Sequence, residues 1–336
     1  MSNIFTIPAG IPFSKALAAQ LLKENQETPE ELADILILLP TRRACRTLRD
    51  AFLQENEGKP IILPTLQAIG DIDEEELSLS IMATNTQDDF LNLPPTLPTI
   101  QRRVMLARAI IKHKDFPYGF DQALNLAKAL GQLLDQIYTE NLDIKNLADL
   151  VPEDFANHWQ VTLDFLKILS DVWPDILNDL SVIDAANRRN QLINTLNNFW
   201  QKNPPKRRII AAGTTGSIPA VAHLLKTISN LPNGQIILPG LDQHIDDDSW
   251  KTIEEAHPQY GFKHLLNIMD AKRKHVKIWP SPINDNTIAK ERRIMACELM
   301  RPAETSKEWQ NLKDNAFKKA IENLKILECE TSQNEA

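Results

Sequence analysis

Apolar and polar positions follow two rhythms along this chain, and the change between them divides it. Short, mostly apolar runs occur at 4–7, 32–39, 209–212 and 235–238, and the one at 209–212 has no polar alternation at all. Such runs suit strands buried on both faces of a parallel sheet. After 4–7 comes the turn Pro8-Ala9-Gly10-Ile11-Pro12, then a helix over 13–23 with Phe13, Leu17, Leu21 and Leu22 on one side. After 32–39 comes Pro40-Thr41, where Thr41 is placed to cap a helix running through Glu55. Residues 61–69 read as a further extended stretch. The most ordered pattern is 207–242. It reads as a strand, the turn Gly213-Thr214-Thr215-Gly216, a helix opened by Ser217 and Pro219, an Asn233-Gly234 turn and a second strand. This is a βαβ unit. Its first turn stands at the carboxyl end of a strand, where open α/β sheets place ligands.

Between these strand-rich parts, residues 99–203 carry an almost purely helical pattern. Helices are predicted over 100–114 and 120–141, the second with Ala123, Leu126, Ala127, Leu130, Leu134 and Ile137 on one stripe. A third starts at Pro152, carries Trp159 and Trp173 and is kinked or broken at Pro174. A fourth is capped by Asp184 and ends near Trp200. The polar, then proline-rich stretch 83–98 marks a boundary. The expected organisation is an α/β domain split between 1–95 and 204–300, with a helical subdomain inserted at 99–203. Helices at 286–300 and 305–323 and a last strand at 324–329 follow. The part from 301 to 336 reads as the start of a further segment, cut short.

Composition narrows the chemistry. The 336 residues carry a net charge of −8, so any contact with nucleic acid must be a local patch. Cys45, Cys297 and Cys329 are far apart and form no CxxC pair, which suits reduced thiols in a cytoplasm. No apolar run approaches the ~20 residues of a membrane span, and the first residues lack the pattern of an export signal. The acidic stretch 70–76 lacks the spacing of a calcium loop. Asp242, His244 and Asp246 to Asp248 have no second histidine at ligand spacing, so no metal site is expected. No nucleophile elbow, zinc-protease or dinucleotide motif is present, and no catalytic residue is assigned.

Two stretches hold candidate binding residues. The first turn lies where a phosphate loop would, but G-x-x-x-x-G-K-[ST] is not met. Gly10 is followed by Ser14 and Lys15 without the second glycine, and Pro8 and Pro12 supply no N–H. On the helix after Thr41, the residues Arg42, Arg46 and Arg49 share a face, with Arg43 adjacent. That face is either a phosphate-contacting patch or a solvated surface paired with Asp50 and Glu55. Trp159, Trp173 and Trp200 either stack on bases or fill a helical core.

Longer stretches carry a resemblance. IFTIPAGIPF (4–13), LILLPTRRACRTLRDAF (36–52), LLDQIYTENLDIKNLADLVPEDFANHWQVTLDFL (133–166), IDAANRRNQL (183–192), IIAAGTTGSIPAVAHLL (209–225), ILPGLD (237–242), HPQYGFKHLL (257–266) and MRPAETSKEW (300–309) follow in order. Together they resemble the amino-terminal third of the AddB family, in its alphaproteobacterial form. AddB is the second subunit of bacterial AddAB helicase–nucleases. The resemblance implies a degenerate RecA-like, P-loop NTPase-like parallel sheet with a helical insert. It implies work in double-strand break resection, with AddA and DNA as partners. The family's iron–sulfur cluster and Mg²⁺ belong to parts beyond Ala336, so no cofactor is expected here. Residues 36–43 resemble helicase motif Ia, which makes Thr41, Arg42, Arg43 and Arg46 the expected DNA contacts. Gly10, Ser14, Lys15, Gly213, Thr214, Thr215 and Gly216 are the remains of a nucleotide pocket. Residues 209–215 stand near the Walker B position, yet no acid follows until Asp242. Two alternatives stay open: an active nucleotide hydrolase with an unorthodox loop, and a structural scaffold that only docks AddA.

Overall fold

The computed structural model describes residues 3–72, 74, 77–79, 93–112, 119–143, 167–313, 315–325 and 327–331. In chain order the elements begin with β1 (Ile4–Ile7), α1 (Phe13–Glu24), β2 (Leu36–Leu39), α2 (Arg42–Glu55) and β3 (Thr65–Ala68). Four helices follow: α3 (Thr99–Ile111), α4 (Phe120–Thr139), α5 (Trp173–Asp179) and α6 (Ala185–Lys202). Then come β4 (Ile209–Ala212), α7 (Pro219–Asn230), β5 (Gly234–Pro239), α8 (Asp247–Thr252), α9 (Tyr260–Ile268), β6 (Lys277–Ile278) and α10 (Thr287–Leu299). The chain forms two compact units. One holds Met1–Ala68, Pro205–Ser217 and Ile228–Ala336; the other holds Ile69–Pro204 and Ile218–Thr227.

The first unit is an α/β structure around a six-stranded sheet in the order β3-β2-β4-β5-β1-β6. Every pairing is parallel. β2 and β4 are buried at all four positions, as their unbroken apolar runs require. Ile7, Ile37, Leu39, Ile210, Ala212 and Ile237 turn to one face, against Leu17 and Leu21 of α1 and Leu48 and Phe52 of α2. The alternating residues Leu36, Leu38, Ile209, Ala211, Ile236 and Leu238 are buried too, so both faces are covered.

Three local features differ from the sequence reading. The run 32–39 is a strand only from Leu36, because Pro29 opens a 3-10 turn over Pro29–Asp34 that buries Leu32 from outside the sheet. The stretch 305–323 is not an α-helix. A 3-10 segment, Ala303–Asn311, is followed by turns in which Asn315 (φ 64°) and Asn323 (φ 59°) take the left-handed conformation that ends helices. No strand forms at 324–329 among the described residues, where Leu324 and Leu327 are exposed.

The second unit is helical. Leu106, Ala107 and Ile110 of α3 meet Ala123, Ala127, Leu130 and Leu134 of α4 around Trp173. Trp173 is fully buried and Trp200 nearly so, which makes both core residues. Trp159 and the start of the third predicted helix lie outside the described residues. Asp184 stands at the N-cap of α6, but its side chain makes no capping bond. Its buried carboxylate accepts the Trp173 indole N–H at 2.8 Å and pairs with Arg102 Nε at 2.7 Å. A buried charge is tolerable only when paired and hydrogen-bonded in this way.

Candidate nucleic-acid interface

The loops that matter lie at the carboxyl edge of the sheet. The chain leaving β1 travels to β2, while the chain leaving neighbouring β5 travels the opposite way to β6. With right-handed crossovers, opposite directions of travel put the two connections on opposite faces and open a crevice between the strands. A cavity of about 410 Å³ lies there. Its walls include Pro8 and Ala9 after β1, Gly240 to His244 after β5, and Lys290, Arg293 and Cys297 of α10. None of Gly10, Ser14, Lys15, Gly213, Thr214, Thr215 and Gly216 lines it.

The loop after β1 has five residues between strand and helix. Pro8 and Pro12 have no N–H, and the Ile11 N–H closes a turn on the Pro8 carbonyl at 3.2 Å. Gly10 takes φ +88°, which this turn requires of its third residue. Ala9 and Gly10 are therefore the only further backbone donors in the loop. Arg293 holds it from outside, donating to the Ala9 carbonyl at 2.7 Å and pairing with Asp285. Lys15 points to solvent from α1.

The loop after β4 is turned elsewhere. Gly213 has φ +75°, and a Cβ there would lie 3.3 Å from the Phe13 ring. Thr214 is buried, and its hydroxyl accepts the Gly216 N–H at 3.2 Å. The strand ends in Ala212 with no carboxylate behind it. Asp242, the next acid, accepts the N–H groups of His244 and Ile245 at 2.7 and 3.1 Å.

Several residues that periodicity did not single out hold this edge together. Gln259 donates to the Gly240 carbonyl and accepts the Asp242 N–H. His257 accepts the Gln259 N–H on Nδ1, so Nε2 carries the proton that reaches the Met300 carbonyl at 2.8 Å. Arg301 binds Glu298 through two nitrogens and also reaches Asp246 and Ser249. Burial alone would raise the Asp246 carboxyl, but the Ser249 N–H and the Arg301 guanidinium outweigh it and hold the group well below the usual range. Burial and a bond to Asp242 push the Cys297 thiol up to about 12. The contacts of His257 with Met300, of Gln259 with Gly240 and of Arg301 with Asp246 are long-range, and spacing along the chain carries no trace of them.

The arginines stand at the carboxyl end of β2. Thr41 is extended and accepts the Ala44 N–H at 3.1 Å, starting α2 where the sequence places its cap. Leu48, Ala51 and Phe52 face the core. Arg42, Arg43, Arg46 and Arg49 are all exposed. Arg49 meets Asp50 at 3.7 Å with both side chains more than half exposed. Among the described residues Arg43 and Arg46 make no ion pair. The arrangement is a cationic helix face beside the ligand edge of a parallel sheet, and it can hold polyanions through charge and hydrogen bonds.

Comparison with known proteins adds little. No family model matches the chain. It is similar to an uncharacterized protein of Rickettsia felis, 22% identical over 168 residues. That stretch is 50% of this chain and only 17% of the relative, which is therefore the much longer protein.

Proposed function

We propose that this chain is a helicase-like module that guides DNA without turning over ATP, in an AddB-type subunit acting with an AddA-type partner on double-strand breaks in the cytoplasm. The observation that carries the reading is the exposed arginine face Arg42, Arg43 and Arg46, started by Thr41 at the carboxyl end of β2. The six-stranded all-parallel sheet is compatible with a RecA-like scaffold. The absence of ATP turnover is supported by two local features. A phosphate cradle is built from backbone N–H groups of a glycine-rich loop and the helix start behind it, and the loop after β1, with prolines at both ends, adds at most two to those at the start of α1. Metal-assisted phosphoryl transfer also needs a carboxylate to hold the ion, and β4 ends without one.

Fluorescence anisotropy with a labelled single-stranded oligonucleotide tests the DNA role. Replacing Arg42 and Arg43 together by Ala should weaken binding about tenfold and flatten its salt dependence, since each phosphate contact releases counterions. Unchanged binding would remove the role from this face. The hydrolase alternative predicts ATP turnover that Lys15→Ala abolishes. Against it stand the ring of Phe13 beside Gly213 and the inward turn of Thr214.

A further inference from the structure

The cavity between the ends of β1 and β5 is left without a task by the DNA reading. Its volume, about 410 Å³, is that of a small-molecule site. Folded proteins keep few voids larger than a water molecule, so a space of this size is held open by the residues around it. Small and stiff side chains hold it open here. Pro8, Ala9, Pro258 and Ala296 line it, and Gly240, with φ +73°, runs its backbone against Ala9. Ile278 of β6 and Met300 after α10 also line it while 59% and 54% exposed. An apolar molecule seated there would take both large side chains out of water.

Most polar groups of the wall are committed to holding its shape. Thr6 donates to the Leu238 carbonyl at 3.2 Å and accepts the Leu241 N–H at 3.0 Å. Gln259 and His257 are occupied on both sides by the bonds described above. The two acids are satisfied as well, Asp242 by the N–H groups of His244 and Ile245, and Asp285 by Arg293. A wall fixed in this way is shaped before a ligand arrives, which lowers the cost of binding. Among the described residues, Lys290 makes no ion pair and the His244 ring no hydrogen bond, and both are exposed. The uncommitted charge of the cavity is therefore positive.

We propose that this cavity is a binding site for a small organic anion, with an aromatic or branched apolar body between Pro8, Ala296, Ile278 and Met300 and one carboxylate or sulfonate against Lys290. The site shares no residue with the arginine face of α2 and holds whether or not that face binds DNA. Gly10, Lys15 and the turn after β4 do not line it either. One ammonium group matches one acid group, whereas a triphosphate needs many more donors than this wall leaves free.

Calorimetric titration of the complete chain tests the site with two probes of one shape, 2-naphthoate and the neutral 2-naphthylmethanol. 2-Naphthoate should bind one to one and more tightly than the alcohol. Lys290→Gln should weaken the acid about two- to fivefold, the range of an exposed ion pair, and leave the alcohol unchanged. Added salt should make the same distinction. Ala296→Trp, at an exposed position of α10, should fill the space and abolish both. If far-UV circular dichroism shows that this variant loses helix, Met300→Ala takes its place and should weaken both probes by opening the wall. Absence of saturable binding, or binding that the wall variants leave intact, would overturn the site. Equal affinities for the acid and the alcohol would overturn the anionic class. Displacement of 2-naphthoate by ATP would overturn it too, making the cavity a nucleotide pocket.

Discussion

Thr41 and Cys297 show how single residues at the sheet edge are committed. The Thr41 side chain satisfies one of the N–H groups that a helix start leaves without a partner. Thr41→Ala should therefore cost about 1 kcal/mol in chemical unfolding, and Thr41→Ser much less. Cys297 makes a prediction in pH. Its thiol is pushed up to about 12 by burial first and by Asp242 second, from an ordinary value of 9.0. Above that ordinary value the unfolded chain ionises while the folded thiol stays protonated. The stabilisation is whole below pH 9 and is lost as pH rises towards 12. Urea midpoints should accordingly fall between about pH 8 and about pH 10.5 in the parent chain, and fall less in Cys297→Ala. Equal slopes in the two proteins would contradict the assignment. The residue roles most legible in the sequence were local ones, such as Thr41 before an apolar-periodic run. The long-range roles of His257, Arg293 and Arg301 were not legible, because the Met300 carbonyl, the Ala9 carbonyl and Asp246 lie 43, 284 and 55 positions away.

At the scale of elements, β2 and β4 announced themselves because a parallel strand buried on both faces needs an unbroken apolar run, and β1 and β5 through runs that are mostly apolar. The turn at Asn233-Gly234 was also visible, though its physical reason was not. Gly234 is the first residue of β5, and a Cβ there would overlap the Ile228 carbonyl oxygen. Backbone cannot yield as a side chain end can. Gly234→Ala should destabilise the chain by about 2 to 4 kcal/mol, measured by urea unfolding; a loss near zero would mean that the turn relaxes freely. The tail misled the reading for the opposite reason. Helical periodicity at 305–323 is a weak signal when no apolar face is buried. Ile321, Leu324 and Leu327 stay exposed there, and left-handed Asn315 and Asn323 interrupt any helix. In the helical unit, the α4 stripe was legible from spacing. The use of Asp184 to hold Trp173 and Arg102, rather than to cap α6, was not.

For the molecule as a whole, the parallel α/β class followed from the chain pattern, while the strand order did not. β1 lies between β5 and β6, so its neighbours come from more than 220 positions later in the chain. Apolar runs state that strands are buried and leave open which strands pair. That order sets the ligand edge, because it brings the loops after β1 and β5 together and leaves the loop after β4 against Phe13. The central claim is that this edge keeps a surface for DNA and has no grip on a triphosphate. The most direct measurement is the affinity of the chain for a single-stranded oligonucleotide at low salt, taken with and without ATP and Mg²⁺. The account predicts measurable binding that is the same in both conditions. No binding in either, or an affinity that moves severalfold when the nucleotide is added, would contradict it.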